Sequence, residues 1–298
     1  MVEEQLQSTK EYFFHLIKKN GPDPIDYETL DDHLKNLLRL ADDQSRRRDW
    51  PALRADLTDI LRPECLQGRA LHKPRGYPGD FWLLDQIYLE AICEIPILIK
   101  WDRYFQRQAA AIAVRNRKSY FLRQLVDLNR MVPTGTILEI GAASGRQYQQ
   151  WFTSDPNSKL TFHAVELDPL ALELARKLNH DFLDKISFIQ KSPARFSPSR
   201  CYDLIWIPGY ADYLTASELA RFLQKWFQYL NPSGQLIFGN FLSGNPSQAY
   251  MEIIGDWYLL YRTPEELLEI SKMAIPQAKK IEFRTEPQKV NGFIHLYN

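Results

Sequence analysis

Residues 136–152 read TILEIGAASGRQYQQWF, an apolar run of strand character that ends at Gly141, crosses to Gly145 and passes at once into a helical pattern. A glycine-marked turn joining strand to helix points to a parallel sheet, because the helix must carry the chain back for the next strand. The following sequence keeps that alternation. LTFHAVEL (160–167) is a second strand, and Asp168-Pro169 then reads as an N-cap with proline at the first helical position, opening a helix to about Asn179. ISFIQ (186–190) and YDLIWI (202–207) are the third and fourth strands. Thr215-Ala216-Ser217-Glu218 has capping-box form and starts a helix to Leu230. Asn231-Pro232-Ser233-Gly234 turns the chain into a fifth strand, QLIFGNF (235–241), and Thr263-Pro264-Glu265-Glu266 caps another helix. KKIEFRT (279–285) and VNGFIHLYN (290–298) have the pattern of a terminal hairpin.

The first half has a different texture. Helical periodicity covers 3–19, 27–44, 51–61, 81–93 and 97–128, punctuated by Pro24, Pro51, Pro63, Pro74 and Pro78. The expected organisation is an all-helical domain over 1–130 and an α/β domain over 131–298 that carries an insertion at 243–262. Tyr77-Pro78-Gly79-Asp80 suits a type II turn with Asp80 as the next N-cap. Arg46-Arg47-Arg48 suits the solvated end of a helix. Lys+Arg and Asp+Glu both total 37, so no net charge argues for nucleic acid or an anionic membrane. Cys65, Cys93 and Cys201 have spacings that suit neither a metal site nor a disulfide framework. The acidic start and the lack of an apolar run of roughly 20 residues point to a cytoplasmic protein.

The glycine loop carries chemical information. A dinucleotide fold usually shows G-x-G-x-x-G, which seats a pyrophosphate on the helix N-terminus. Here the loop runs Gly141-Ala142-Ala143-Ser144-Gly145, with Glu139 two residues before it. An acid there repels phosphate and welcomes a cation. S-adenosylmethionine (SAM), with its ammonium and sulfonium groups, is such a ligand. Glu166, about 20 residues beyond the loop at the end of the second strand, is placed to accept hydrogen bonds from ribose hydroxyls.

These residues resemble the class I SAM-dependent methyltransferases over roughly 131–298. The resemblance implies a Rossmann-like α/β sheet with a terminal antiparallel hairpin, and SAM as cofactor, leaving as S-adenosylhomocysteine, with no metal. It further implies that Glu139 and Gly141 lie along the methionine moiety, with Ala142, Ser144 and Gly145 completing the loop. Glu166 would take the ribose and Leu167 would pack on adenine. Many family members have an Asp after the third strand that meets the adenine amine. Ser192 stands there in this chain, followed by Pro193 and Ala194.

A narrower resemblance spans both halves. KPRGYPGDFWLLDQIY (73–88), AVRNR (113–117), DLIWIPGYADYL (203–214) and NPSQAYMEIIGDWYLLYRT (245–263) resemble a bacterial family of 3-hydroxypalmitic acid methyl ester biosynthesis. That likeness implies methyl-ester formation on a carboxylic acid. Tyr77, with Arg75 and Asp80, would then form a lid over the cofactor, and Pro208 and Gly209 would border it. Trp82, Arg115, Arg117, Tyr250, Trp257 and Tyr261 are candidates for holding a small-molecule acceptor. For Arg115 and Arg117 the favoured reading is a solvated helix face, with drawing in an anionic acceptor as the other. A carboxylate is ionised at neutral pH and needs no general base, whereas an amine or phenol more often does. Tyr213, Asn240 and Glu252 are the candidates for that chemistry. His163 within the second strand reads as structural, and His72 as a lesser candidate for the site. Two alternatives stay open: N- or O-methylation of an aromatic or alkaloid-like compound, suggested by the 13% aromatic content, and a SAM-binding regulator without chemistry.

Overall fold

A computed structural model describes residues 2–298, which form two compact units. One comprises the chain up to Ile112 together with Gly244–Tyr258, and the other comprises Ala113–Ser243 with Leu259–Asn298.

The second unit is an α/β domain built on β1 (Thr136–Ile140), β2 (Thr161–Glu166), β3 (Ile186–Gln190), β4 (Tyr202–Ile207), β5 (Leu230–Phe241), β6 (Lys280–Thr285) and β7 (Asn291–Tyr297). Their order in the sheet is β3-β2-β1-β4-β5-β7-β6. The first five strands pair in parallel, and β7 pairs antiparallel with both β5 and β6. This is the Rossmann-like sheet with a terminal hairpin that the sequence pattern anticipates. Alternate residues on each central strand face opposite layers, as the two-residue strand period requires. Ile137, Leu204, Trp206 and Phe293 pack with Tyr120 and Phe121 of α7 (Ala109–Met131) and with Tyr148 and Phe152 of α8 (Arg146–Ser154). Leu138, Ile205, Phe238 and Ile294 pack with Leu223 and Trp226 of α10 (Ala216–Phe227) and Leu267 of α12 (Pro264–Ala274). Helix α9 (Pro169–Leu178) follows β2, its N-cap Asp168 accepting from the Leu170 amide at 2.9 Å. The turn at 231–234 appears as an irregularity within β5, where pairing jumps from Tyr202–Leu230 to Leu204–Gln235.

The helical unit departs from the sequence pattern in several places. The expected 27–44 and 51–61 helices are α2 (Tyr27–Leu40) and α3 (Asp43–Asp56). Ala41 is extended, and Asp42 restarts the chain by accepting from the Ser45 amide at 2.7 Å. Pro51 therefore lies inside α3, where it forfeits the bond back to Arg47 without ending the helix. The arginine run lies near the start of α3 rather than at a helix end. Arg46 nevertheless donates backward to the Ala41 and Leu38 carbonyls that close α2. Helix α4 (Leu66–His72) was not expected; its Leu66 amide is satisfied by Asp102, far along the chain, at 2.8 Å. Helix α5 (Phe81–Leu89) stops short of 93 because Glu90 is left-handed, with φ of 51°. The 97–128 pattern is α6 (Ile99–Arg107) and α7, separated at Gln108, whose ψ of 139° is not helical.

The turn before α5 is also not type II about Pro78-Gly79. Gly76 carries the positive φ, at 87°, and Gly79 is there for room: a Cβ on it would lie 2.5 Å from Trp257 Cζ2. Of the expected insertion at 243–262, Gly244–Tyr258, including α11 (Gln248–Ile253), is part of this unit, and its last residues belong to the α/β domain. Tyr250 donates to Gln67 Oε1 at 2.7 Å and meets Tyr104 edge-on, while Asp256 pairs with Arg54 and Lys73. At the other end of the division, α7 crosses between units, and its residues from Ala113 on belong with the sheet. Among the described residues, no helix is long and apolar enough to cross a membrane.

Asp80 is buried as the N-cap of α5, accepting from Leu83 N at 2.8 Å and from Arg69, whose guanidinium lies 4.3 Å from the Trp82 ring centroid. Removing the carboxylate strands a largely buried cation and an uncapped helix. Asp80→Ala should therefore lower unfolding free energy by about 3 kcal/mol or more in urea titration; a loss near zero would show that the pair is dispensable.

Candidate functional site

The site begins where β1 ends. Gly141, Ala143 and Gly145 have φ of 83°, 48° and 66°, so every second residue of the loop is left-handed. A Cβ on Gly141 would meet nothing within 4 Å, whereas one on Gly145 would lie 3.0 Å from Ala175 Cβ. The first glycine thus leaves open space beside the backbone, and the last allows close packing on α9. Ala143 pays for neither advantage, and a left-handed alanine costs roughly 1–2 kcal/mol. Val165 O accepts from the Gly141 amide at 2.8 Å, and Asn179 Nδ2 donates to Gly145 O at 3.1 Å. These bonds tie the loop to β2 and α9.

Glu166 lies at the end of β2 and is heavily engaged. Its Oε2 accepts from Ala143 N at 3.0 Å, and Oε1 accepts from Leu167 N at 2.7 Å and Asp168 N at 3.0 Å. The adjoining Leu167 is 60% exposed, an apolar surface beside the loop. After β3, Ser192 Oγ accepts from Ala194 N at 3.3 Å, and Lys225 donates to the Pro193 and Ala194 carbonyls.

Glu139 is buried at the end of β1. Gln147 donates to its Oε1 at 3.0 Å and to Ala142 O at 3.1 Å, whereas Oε2 is buried near the Tyr148 hydroxyl and makes no hydrogen bond of ordinary geometry. Burial pushes this carboxyl up to about 8, against the opposing pull of Tyr148, Gln147 and Arg117. An orphaned carboxylate oxygen next to open backbone suits a cationic ligand group, and the residues present fit the ammonium end of SAM.

The end of β4 supplies a second polar cluster. Arg117 of α7 is buried, which removes its reading as a solvated helix face. It donates to Pro208 O at 3.0 Å, its Nε is buried without a partner, and a Cβ on Gly209 would lie 2.9 Å from its Nη1. Arg115, two residues earlier, is only partly buried. The turn after β4 holds Asp212, which the motifs did not single out. It is buried, accepts from Phe241 N at 2.6 Å, and is pushed by burial up to about 7, with Arg117 and Arg262 opposing.

Asn240, a candidate for the chemistry, is tied into the structure at both ends of its amide. Its Nδ2 donates to Phe241 O at 2.7 Å and Leu260 O at 3.0 Å, and its Oδ1 accepts from Arg262 at 2.5 Å. Arg262 also donates to the Ala211 and Leu214 carbonyls. With both ends of its amide engaged, Asn240 is a strut between β5 and the turn carrying Asp212. Tyr213 on that turn is 48% exposed, and Tyr261 is half-buried in the same unit. Tyr77, Trp82, Tyr250, Glu252 and Trp257 belong to the helical unit, where Glu252 accepts from Gln248 at 2.8 Å. His163 Nδ1 pairs with the Tyr202 hydroxyl at 2.8 Å, and His72 Nε2 lies 2.8 Å from Leu61 O.

Residues 137–234 match a family described as a methyltransferase domain. No curated protein matches the chain. Among solved structures it is similar to a possible exported protein from Bordetella parapertussis, with TM-score 0.63 and 14% identity over 100% of this chain and 97% of that one. It is also similar to magnesium protoporphyrin IX methyltransferase from Synechocystis PCC 6803 with bound S-adenosylhomocysteine, at TM-score 0.53 and 10% identity over 73% of this chain and 92% of that one. At such identities the likeness is one of fold. The domain match, with the strand order and the loop with its two acids, supports SAM-dependent methyltransferase activity.

A carboxyl raised to about 8 is mostly protonated at neutral pH, and pairing it with an ammonium must expel the proton. S-adenosylhomocysteine, which keeps that ammonium, should bind with proton release at pH 7, and more tightly as pH rises through 8. Calorimetry in buffers of different ionisation enthalpy reads this directly. Glu139→Gln should abolish the release and weaken binding about tenfold; unchanged proton release would place the ammonium elsewhere.

Proposed function

We propose that the protein transfers the methyl group of SAM to the carboxylate of a small acid, with a hydroxy fatty acid favoured by the resemblance of its unusual strings to the methyl ester family. The observation that carries the anionic acceptor is Arg117, a buried guanidinium at the carboxyl end of β4 whose Nε lacks a protein partner. Ligands in open α/β sheets bind at the carboxyl ends of the strands, so this cation belongs on the reactive side. Its neighbours Pro208 and Gly209 present backbone there.

In this reading Glu139 takes the ammonium, Glu166 accepts from the ribose, and Leu167 with the 192–194 segment borders the adenine. SAM supplies a methyl group activated by the sulfonium, which becomes a neutral thioether. Arg117 holds one carboxylate oxygen while the other is aligned on the methyl carbon. An ionised acid needs no proton removed, so orientation is the enzyme's main contribution, on the order of 7–11 kcal/mol for well-aligned reactants.

A second reading has its own support. Asp212, raised to about 7, has the value suited to a general base, which an amine or phenol acceptor would use. The product separates the two. Incubation with methyl-labelled SAM and long-chain hydroxy acids should yield a base-labile methyl ester, and Arg117→Gln should lower kcat/KM for the acid about 10–100-fold. Transfer only to amines or phenols, giving an alkali-stable product, would replace the first reading with the second.

A further inference from the structure

The acid at the end of β2 meets protein groups that a ribose-binding role alone does not require. Its Oε2 accepts from the amide of Ala143, the one loop position where a side chain is held left-handed between two glycines that adopt the region readily. Its Oε1 accepts from the Leu167 and Asp168 amides at the start of α9. The same carboxylate therefore bridges the strained loop and the next helix. A non-glycine residue stays in that region only when its surroundings over-determine it. Val165 O fixes Gly141 and Ala142, and Asn179 fixes Gly145, but the Ala143 amide itself is met by Glu166.

We infer that Glu166 is a positioning residue as well as a ribose ligand: its bond to Ala143 N holds the cofactor loop in its binding shape before the cofactor arrives. The inference rests on the methyltransferase reading for its meaning, but its structural half concerns the ligand-free protein. Glu166 meets the loop at the Ala143 amide, and the conformation held there is one that glycine adopts without help. Replacing Ala143 by glycine should thus make the loop less dependent on Glu166. Glutamine at 166 has one carbonyl oxygen in place of two carboxylate oxygens, so it cannot serve both Ala143 and the α9 amides.

Two measurements test this on the full chain. The first is amide hydrogen exchange of residues 141–146 in ligand-free protein. Glu166→Gln should speed it about tenfold, and adding Ala143→Gly should not restore the lost protection of that amide. The second is a double-mutant cycle on S-adenosylhomocysteine binding by calorimetry. Glu166→Gln should weaken binding about tenfold in the parent, but only about two- to threefold in the Ala143→Gly background. Thermal unfolding confirms that each variant is folded, and Ala143→Gly, which relieves strain, is the control for overall integrity. Equal weakening in both backgrounds, or unaltered exchange in the ligand-free protein, overturns the positioning role. If the parent itself does not bind S-adenosylhomocysteine, the functional reading fails, and exchange alone still decides whether Glu166 holds the loop.

Discussion

Burying Glu139 at the end of the central strand is the constraint around which the second unit is arranged. A carboxyl group removed from water loses its hydration, and here only one of its oxygens regains a hydrogen bond from the protein. The sheet offsets this cost through packing: aromatic residues of α7 and α8 cover the same face, with Phe121 and Trp206 stacked at 5.0 Å and Tyr148 against Phe162. The orphaned oxygen is then a stored interaction, released when a cation arrives. That is why the acid and the glycine with open space beside it lie at the same strand end.

The second polar cluster follows from the first. Arg117 lies close enough to Glu139 and Asp212 to oppose the rise of both carboxyls, and Arg262 acts likewise on Asp212. Both carboxyls still titrate above the ordinary carboxylate range, so burial outweighs the cations. A carboxyl raised in the folded state contributes its full stability below its unfolded value and loses it as pH rises through the folded one. For these two groups the loss falls between about pH 4 and pH 8, with values of about 7 and about 8 marking its upper end. Stability near neutrality is thereby exchanged for reactive groups at the strand ends, a common feature of functional sites.

Local signals in the sequence carried most of the sheet unit. Parallel strands are covered on both faces and so read as continuous apolar runs. The caps at Asp168, Thr215 and Thr263 bond within three residues, and each was readable as a short motif. The helical half was less legible because its ends depend on distant partners, as when Asp102 satisfies Leu66. The site divides in the same way. Glu139, Glu166, Gly141 and Gly145 stand out by spacing, but nothing about an alanine announces that Ala143 is left-handed. Asp212 and Arg262 converge from separate segments, and the partners of Asn240, Leu260 and Arg262, come from the far end of the insertion, about 20 residues along the chain.

The most direct test is a crystal structure of the protein grown with S-adenosylhomocysteine. The account predicts the ligand ammonium about 2.7–3.2 Å from Glu139 Oε2, with the ribose hydroxyls on the Glu166 carboxylate. A ligand bound with its ammonium elsewhere, leaving Glu139 Oε2 without a partner, would contradict it.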